Sequence, residues 1–211
     1  MDPTSNRRYD FSGISMLLVD QNRFIRTIVA NICRSFGVER VYESDDAPDA
    51  FTLMKQTPID IVVTEWMLEP LDGRDFARLV RTARDSPNPM VPIIMLTGHT
   101  QAQYVIEARD AGVTEFLCKP VSSRNLLNRM IHVIERPRSF IKAPGYVGPD
   151  RRRRDAESYT GLERRKETKD AATRKTKTPD GKKSTSMEWD LSPQAPKTPG
   201  NSQSDIDALF A

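Results

Sequence analysis

Ile59-Asp60-Ile61-Val62-Val63-Thr64-Glu65-Trp66-Met67-Leu68-Glu69-Pro70-Leu71-Asp72-Gly73 decides the fold. The first half is a nearly continuous apolar run of strand length, closed by the acid Glu65. The second half is a loop that ends on Asp72-Gly73. A strand with one wet face alternates apolar and polar residues. One that is apolar throughout is buried on both faces, as in a parallel sheet with helices on either side. The same unit recurs in both directions. Upstream, an apolar run over residues 14–19 ends at Asp20, and Phe24, Ile25, Ile28, Val29, Ile32 and Phe36 follow at helical spacing until Gly37 stops them. A short strand over 40–43 and a helix over 47–55, with Ala50, Phe51 and Met54 inward, lead into Ile59. Downstream, a helix carries Phe76, Leu79 and Val80, and a strand over 91–96 ends at Thr97-Gly98. A helix over 100–111 is stopped by Gly112, and a strand over 115–118 ends at Lys119-Pro120. A last helix follows Ser122-Ser123, with Leu126, Leu127, Met130, Ile131 and Ile134 apolar. Five such alternations predict an α/β domain over residues 12–136, a doubly wound, five-stranded parallel sheet.

Open sheets of this kind place their chemistry at the carboxyl ends of the strands. The polar residues fall there: Asp20 after the first strand, Glu65 after the third, Thr97 after the fourth and Lys119 after the fifth. One charged residue at a strand end is ordinarily just solvated. Two acids, a hydroxyl and a cation that converge form a set able to handle a phosphoryl group. Carboxylates suit Mg²⁺, and Lys and Thr can bind phosphate oxygens.

The motifs LLVD (17–20), EWMLEPLDG (65–73), MLTG (95–98) and FLCKP (116–120), each at a strand end, resemble those of bacterial response-regulator receiver domains of the chemotaxis-regulator kind. The resemblance runs from Met16 to Glu135, a little over half the chain. It implies a flavodoxin-like sheet of order 2-1-3-4-5. It also implies an acidic metal pocket at Asp20 and its neighbour, a phosphoacceptor at the place of Glu65, and a switch set of Thr97, Phe116 and Lys119. The Lys119-Pro120 bond is one the family often holds cis. The departures carry as much meaning. Gln21 stands where the family has a second acid, Glu65 where it has Asp, and Glu69 where it has Pro, with Pro70 one step later. Glutamate places its carboxylate about one C–C bond further out, and errors near 1 Å cost about a hundredfold in such reactions. Gln21 removes one charged metal ligand. The expectation is therefore a degenerate receiver: weak or absent Mg²⁺ binding, no enzymatic role, and action through protein–protein binding in a phosphorelay that serves chemotaxis or motility. Two other readings stay open. Glu65 could hold an active-like state by reaching Lys119 and Thr97, or it could be an atypical acceptor that still takes phosphate.

Beyond the domain the composition changes. Residues 1–11 read as a leader, and 137–200 as a basic, Pro-rich, disordered tail with a turn-rich linker at 144–149. Arg151, Arg152, Arg153 and Arg154 open a stretch, 151–183, with thirteen Lys and Arg against six Asp and Glu. That excess points to an anionic partner. Cyclic di-GMP, a nucleic-acid backbone, or an acidic protein or membrane surface all fit, since guanidinium forks suit phosphate. The pattern loosely resembles receiver proteins whose arginine-rich extensions bind cyclic di-GMP. No helix-turn-helix pattern follows the receiver, so nucleic acid ranks last. Residues 201–211 differ again: Ile206, Leu209 and Phe210 form an apolar stripe with acids in the first turn, and Ser202 with Asp205 or Ser204 with Asp207 suits a capping box. So short a helix is marginal alone and reads as a docking peptide. It resembles the flagellar switch peptide that docks on chemotaxis receivers. The expected partners are thus a histidine-kinase pathway, the flagellar switch or another receiver. Cys33 and Cys118 sit in apolar stretches and read as buried residues of a reducing cytosol. No run approaches the roughly 18 apolar residues of a membrane span, and the N-terminus lacks a signal-peptide core, so a cytoplasmic location is expected.

Overall fold

β1 (Ser15–Val19), β2 (Arg40–Ser44), β3 (Ile61–Thr64), β4 (Ile93–Thr97) and β5 (Glu115–Cys118) form one parallel sheet in the order β2-β1-β3-β4-β5. The computed structural model describes residues 9–143, 145–150 and 202–210. Helices α1 (Arg23–Ser35), α2 (Ala47–Gln56), α3 (Gly73–Thr82), α4 (Ala102–Asp110) and α5 (Ser123–Glu135) connect the strands. Four of them begin on a side-chain cap close behind the preceding strand. Asn22, Asp46, Asp72 and Ser122 accept main-chain N–H groups of the first turn, which fixes where each helix starts.

Strand side chains point alternately to the two faces, and here both faces are apolar. Leu17, Val19, Val62, Ile93, Met95 and Phe116 enter one core layer with residues of α2, α3 and α4. Met16, Leu18, Ile61, Val63, Ile94, Leu96 and Leu117 enter the other with residues of α1 and α5. The apolar run of residues 61–64 is thus a central strand, buried along its whole length. On α1 the buried stripe is narrower than the run of apolar residues implied. Val29, Ala30 and Cys33 are buried, while Phe24 is 80% and Ile28 49% exposed.

Residues 137–149 depart from the linker expected there. β6 (Phe140–Ala143) and β7 (Tyr146–Pro149) pair as an antiparallel hairpin beside α3. The reason lies in Arg81, whose residue is 3% exposed. Its Nε donates to the Gly112 carbonyl at 3.0 Å and its Nη1 to the Pro89 carbonyl at 2.8 Å. Phe140 covers the guanidinium, with the ring centre 5.0 Å away. Burial pulls the guanidinium pKa down, partly offset by Tyr146. The backbones then meet closely. A Cβ on Gly148 would lie 2.8 Å from the Gly112 Cα, and Gly112 itself has φ +89°.

Helix α6 (Gln203–Phe210) lies against α4 and β5. No helix among the described residues is long and apolar enough to cross a membrane.

Candidate functional site

The ends of β1, β3 and β5 deliver three charged groups to one point. Asp20 is held by its own turn: its Oδ1 accepts the Asn22 N–H at 2.8 Å, and Arg26 donates to its carbonyl at 2.5 Å. Its other oxygen, Oδ2, takes the Lys119 ammonium at 2.7 Å. Lys119 also pairs with Oε2 of Glu65. The remaining oxygen of Glu65 curls back onto its own loop, accepting the N–H groups of Trp66 at 2.5 Å and Met67 at 3.3 Å. Burial opposes the charge on Lys119, but the hydrogen bonds and charges of Asp20 and Glu65 outweigh it and push its pKa up. All three side chains are largely buried, at 11% exposed for each acid and 20% for the lysine. The pair energies therefore act at a lower dielectric than in water.

The other residues of the set take different places. The Gln21 amide turns outward and donates to the Glu69 carbonyl at 3.3 Å, on the loop where Glu69–Pro70 is cis. Lys119–Pro120 is cis as well. Thr97 is fully buried, and its hydroxyl accepts the His99 N–H at 3.2 Å. Of the two groups named together in one open reading, Glu65 meets Lys119, while its other oxygen turns to Trp66 and Met67 rather than to Thr97. The extra methylene lets the glutamate fold back on its loop. Phe116 is 1% exposed and packs in the core layer that also holds Trp66. Arg151, Arg152, Arg153 and Arg154 lie outside the described residues, as do the side chains of Leu209 and Phe210. Ile206 is 1% exposed and joins the same core layer as Phe116.

A divalent cation fits this arrangement poorly. Two carboxylates are present, but the Lys119 ammonium already bridges them. Gln21 offers a neutral oxygen in place of a third charge, and a second cation beside the ammonium would meet direct repulsion. A separate group of acids, Asp45, Asp46 and Asp49, sits at the start of α2. Asp46 there accepts the Asp49 N–H as the helix cap.

Sequence reasoning did not single out the ring cluster behind the site. Trp66, next to Glu65, meets Tyr104 of α4 edge-on at 5.0 Å, and His99 lies 5.2 Å from the same tyrosine. Trp66 belongs to the 65–73 motif, but Tyr104 and His99 carried no signal, since one ring on a helix and one histidine in a loop are ordinary. Gln203 of α6, whose amide accepts the Cys118 N–H at 2.9 Å and donates to the Phe116 carbonyl at 3.0 Å, and Arg129 of α5, which pairs with Asp207, gave no signal for a like reason.

A model of the response regulator receiver domain matches residues 16–131. The chain is 30% identical over 124 residues to the chemotaxis protein CheY-3 of Vibrio cholerae serotype O1, a match spanning 59% of this chain and 94% of that one. It is 29% identical over 123 residues to the chemotaxis protein CheY of Pseudomonas aeruginosa, covering 58% of this chain and 98% of the relative. Among solved structures, the chemotaxis protein CheY4 of Vibrio cholerae superposes with a TM-score of 0.53 at 25% identity, over 57% of this chain and 98% of its own. The receiver domain of a Pseudomonas aeruginosa sensor histidine kinase, solved with a magnesium ion coordinated in its active-site cleft, superposes at 0.53 with 26% identity, over 58% and 98%.

Proposed function

The chain belongs to the response regulator receiver domain family of two-component signalling, and from that premise we propose that it acts as a protein-binding module whose phosphoacceptor site no longer takes phosphate in the ordinary way. One observation carries this reading: Glu65, in the acceptor's place, turns one oxygen back onto the N–H groups of Trp66 and Met67, while Gln21 points away to the Glu69 carbonyl and adds no second carboxylate beside Asp20. The carboxylate that would have to attack a phosphodonor is held by Lys119 on one oxygen and by two main-chain N–H groups on the other. A nucleophile so thoroughly hydrogen-bonded is stabilised in its ground state. The relatives are chemotaxis proteins, which supports a partner in a histidine-kinase pathway, at the flagellar switch, or in another receiver.

The test is intact-mass spectrometry after incubation with Mg²⁺ and acetyl phosphate. The wild-type chain should gain no phosphoryl group, Glu65→Asp alone should gain little, and Glu65→Asp with Gln21→Asp should gain more. A wild-type adduct abolished by Glu65→Ala would instead establish an atypical glutamyl acceptor. Full labelling of the single Glu65→Asp variant would remove Gln21 from the explanation.

A further inference from the structure

Arg81, in the last turn of α3, is a cation buried without a counter-ion. Its Nε and Nη1 donate to the carbonyls of Gly112 and Pro89, at 3.0 and 2.8 Å. Its Nη2 is sealed from solvent and donates to nothing among the described residues, and no carboxylate among them pairs with the guanidinium. Burial, opposed by Tyr146, pulls the pKa down to about 9, so the side chain is still charged at neutral pH. A buried charge is costly unless an anion and hydrogen bonds offset it. Inward-facing cations elsewhere in the domain follow that rule: Lys119 lies between Asp20 and Glu65, and Arg129 on Glu115. Arg81 has two neutral carbonyls and the ring of Phe140, whose centre is 5.0 Å from the guanidinium carbon. Gly112 and Pro89 precede β5 and β4, so this cation sits at the opposite end of the sheet from Glu65 and Lys119.

The roof over it is a small and separable piece. β6 and β7 have four residues each, and a two-stranded hairpin is marginal by itself. Ile141, Lys142 and Ala143 are exposed, while Gly148 and Pro149 are the buried part, with Gly148 against Gly112. The main-chain hydrogen bonds of the segment run within it, from β6 to β7 and from the Asp150 N–H to the Ser139 carbonyl. Lifting the hairpin therefore breaks no main-chain bond of the five-stranded sheet. Closed, it leaves Arg81 with an unused donor and no anion. Lifted, it hands the guanidinium to solvent and to any oxyanion there, and guanidinium groups suit phosphate oxygens. A ligand that binds the open form alone favours opening by mass action. From these observations we infer that Arg81 is an oxyanion site kept shut by the β6–β7 hairpin, and that a phosphate-type anion opens the hairpin by pairing with the freed guanidinium.

The test is amide exchange of the full chain, read by mass spectrometry over residues 140–149, with and without inorganic pyrophosphate at matched ionic strength. In the wild type, pyrophosphate should quicken exchange there, on the order of tenfold once it stands at about ten times its dissociation constant for the open form. β1 and β3 should keep their protection. Arg81→Met keeps much of the side-chain stem and removes the charge, so its exchange should not respond to the anion. The variant with Arg151, Arg152, Arg153 and Arg154 all changed to alanine retains Arg81 and should respond as the wild type does. Protection of β1 and β3 checks the fold of each variant, and the wild-type and four-alanine arms decide the matter even where Arg81→Met is poorly folded. No quickening in the wild type would overturn the inference. So would a response that survives Arg81→Met, or one that vanishes with the four arginines.

Discussion

Lys119 holds two carboxylates that would otherwise repel each other, and that single ammonium sets the chemistry of the site. Lys119→Met should leave Asp20 and Glu65 as a vacant anionic pair. Thermal unfolding should then show a lower midpoint for the variant, raised by millimolar Mg²⁺, while Mg²⁺ leaves the wild type nearly unchanged. A wild-type midpoint that climbs with Mg²⁺ as much as the variant's would contradict the account. The pH dependence follows from the direction of the shift. Lys119 has its folded pKa raised above the ordinary lysine value. Its contribution is complete below that ordinary value and is lost as pH rises through the folded one. On the alkaline side the wild type should therefore keep its advantage over Lys119→Met until pH rises through the raised lysine value. The strand-end positions of Asp20, Glu65 and Lys119 were legible in the sequence because a parallel sheet leaves few other places for polar residues. The direction of each side chain was not. The Thr97 hydroxyl goes to His99, and one Glu65 oxygen goes to Trp66, because the loops after β4 and β3 present N–H groups there. No residue pattern announces that.

Among the elements, the five strands and five helices of the receiver were readable because apolar runs and helical spacings agree with their caps. The hairpin was not. β6 and β7 are four residues each, too short to set up a periodicity, and Pro144 and Gly145 stand between them, so composition favoured a linker. What holds them is tertiary: a buried arginine on α3, the ring of Phe140 and the close approach of two glycines. That dependence makes a sharp prediction. Gly148→Val would drive a side chain into the Gly112 backbone and the Tyr146 hydroxyl, which an added Cβ would already meet at 2.8 and 2.7 Å. Overpacking of this kind costs about 1–3 kcal/mol. Urea unfolding should show a lower midpoint with little change in slope. A variant as stable as wild type would mean that the hairpin contributes nothing to the fold. α1 gives the opposite lesson. Its apolar residues recur at helical spacing, yet Phe24 and Ile28 stay exposed, because with 3.6 residues per turn those two project from the side opposite the buried Val29, Ala30 and Cys33.

At the scale of the molecule, the hairpin ends at Asp150, whose N–H donates to the Ser139 carbonyl at 2.7 Å, so the chain enters its arginine run from a fixed point. If Arg151, Arg152, Arg153 and Arg154 take an anionic nucleotide, calorimetry with cyclic di-GMP should give saturable binding that disappears when all four become alanine. Equal, weak, salt-sensitive binding of any polyanion would instead mark a general basic segment. The acceptor loop and α6 are joined more tightly. Glu65 anchors the N–H groups of Trp66 and Met67, and Trp66 packs edge-on against Tyr104 of α4. Arg74 of α3 pairs with Glu107 of α4 at 2.9 Å, a second link between the helix after the acceptor loop and α4. Trp66, Val105, Phe116 and Ile206 then share one core layer, which extends from the acceptor loop to the buried side of α6. Packed layers have few intermediate arrangements, so a change that frees the Glu65 loop should reach α4 and weaken the hold on α6. Glu65→Ala removes the Lys119 pair and both main-chain anchors at once. The full-length Glu65→Ala chain should therefore bind a free peptide of residues 202–211, in place of its own α6, more tightly than wild type, by a factor in the usual allosteric range of about 5–150. Tyr104→Ala should reduce that gain, because the ring contact is the link, and by reciprocity the peptide should alter the environment of Trp66, read as a change in tryptophan fluorescence. Coupling carried only by the charges of the site would instead leave the gain intact in the Glu65→Ala, Tyr104→Ala double variant and make it fall with added salt.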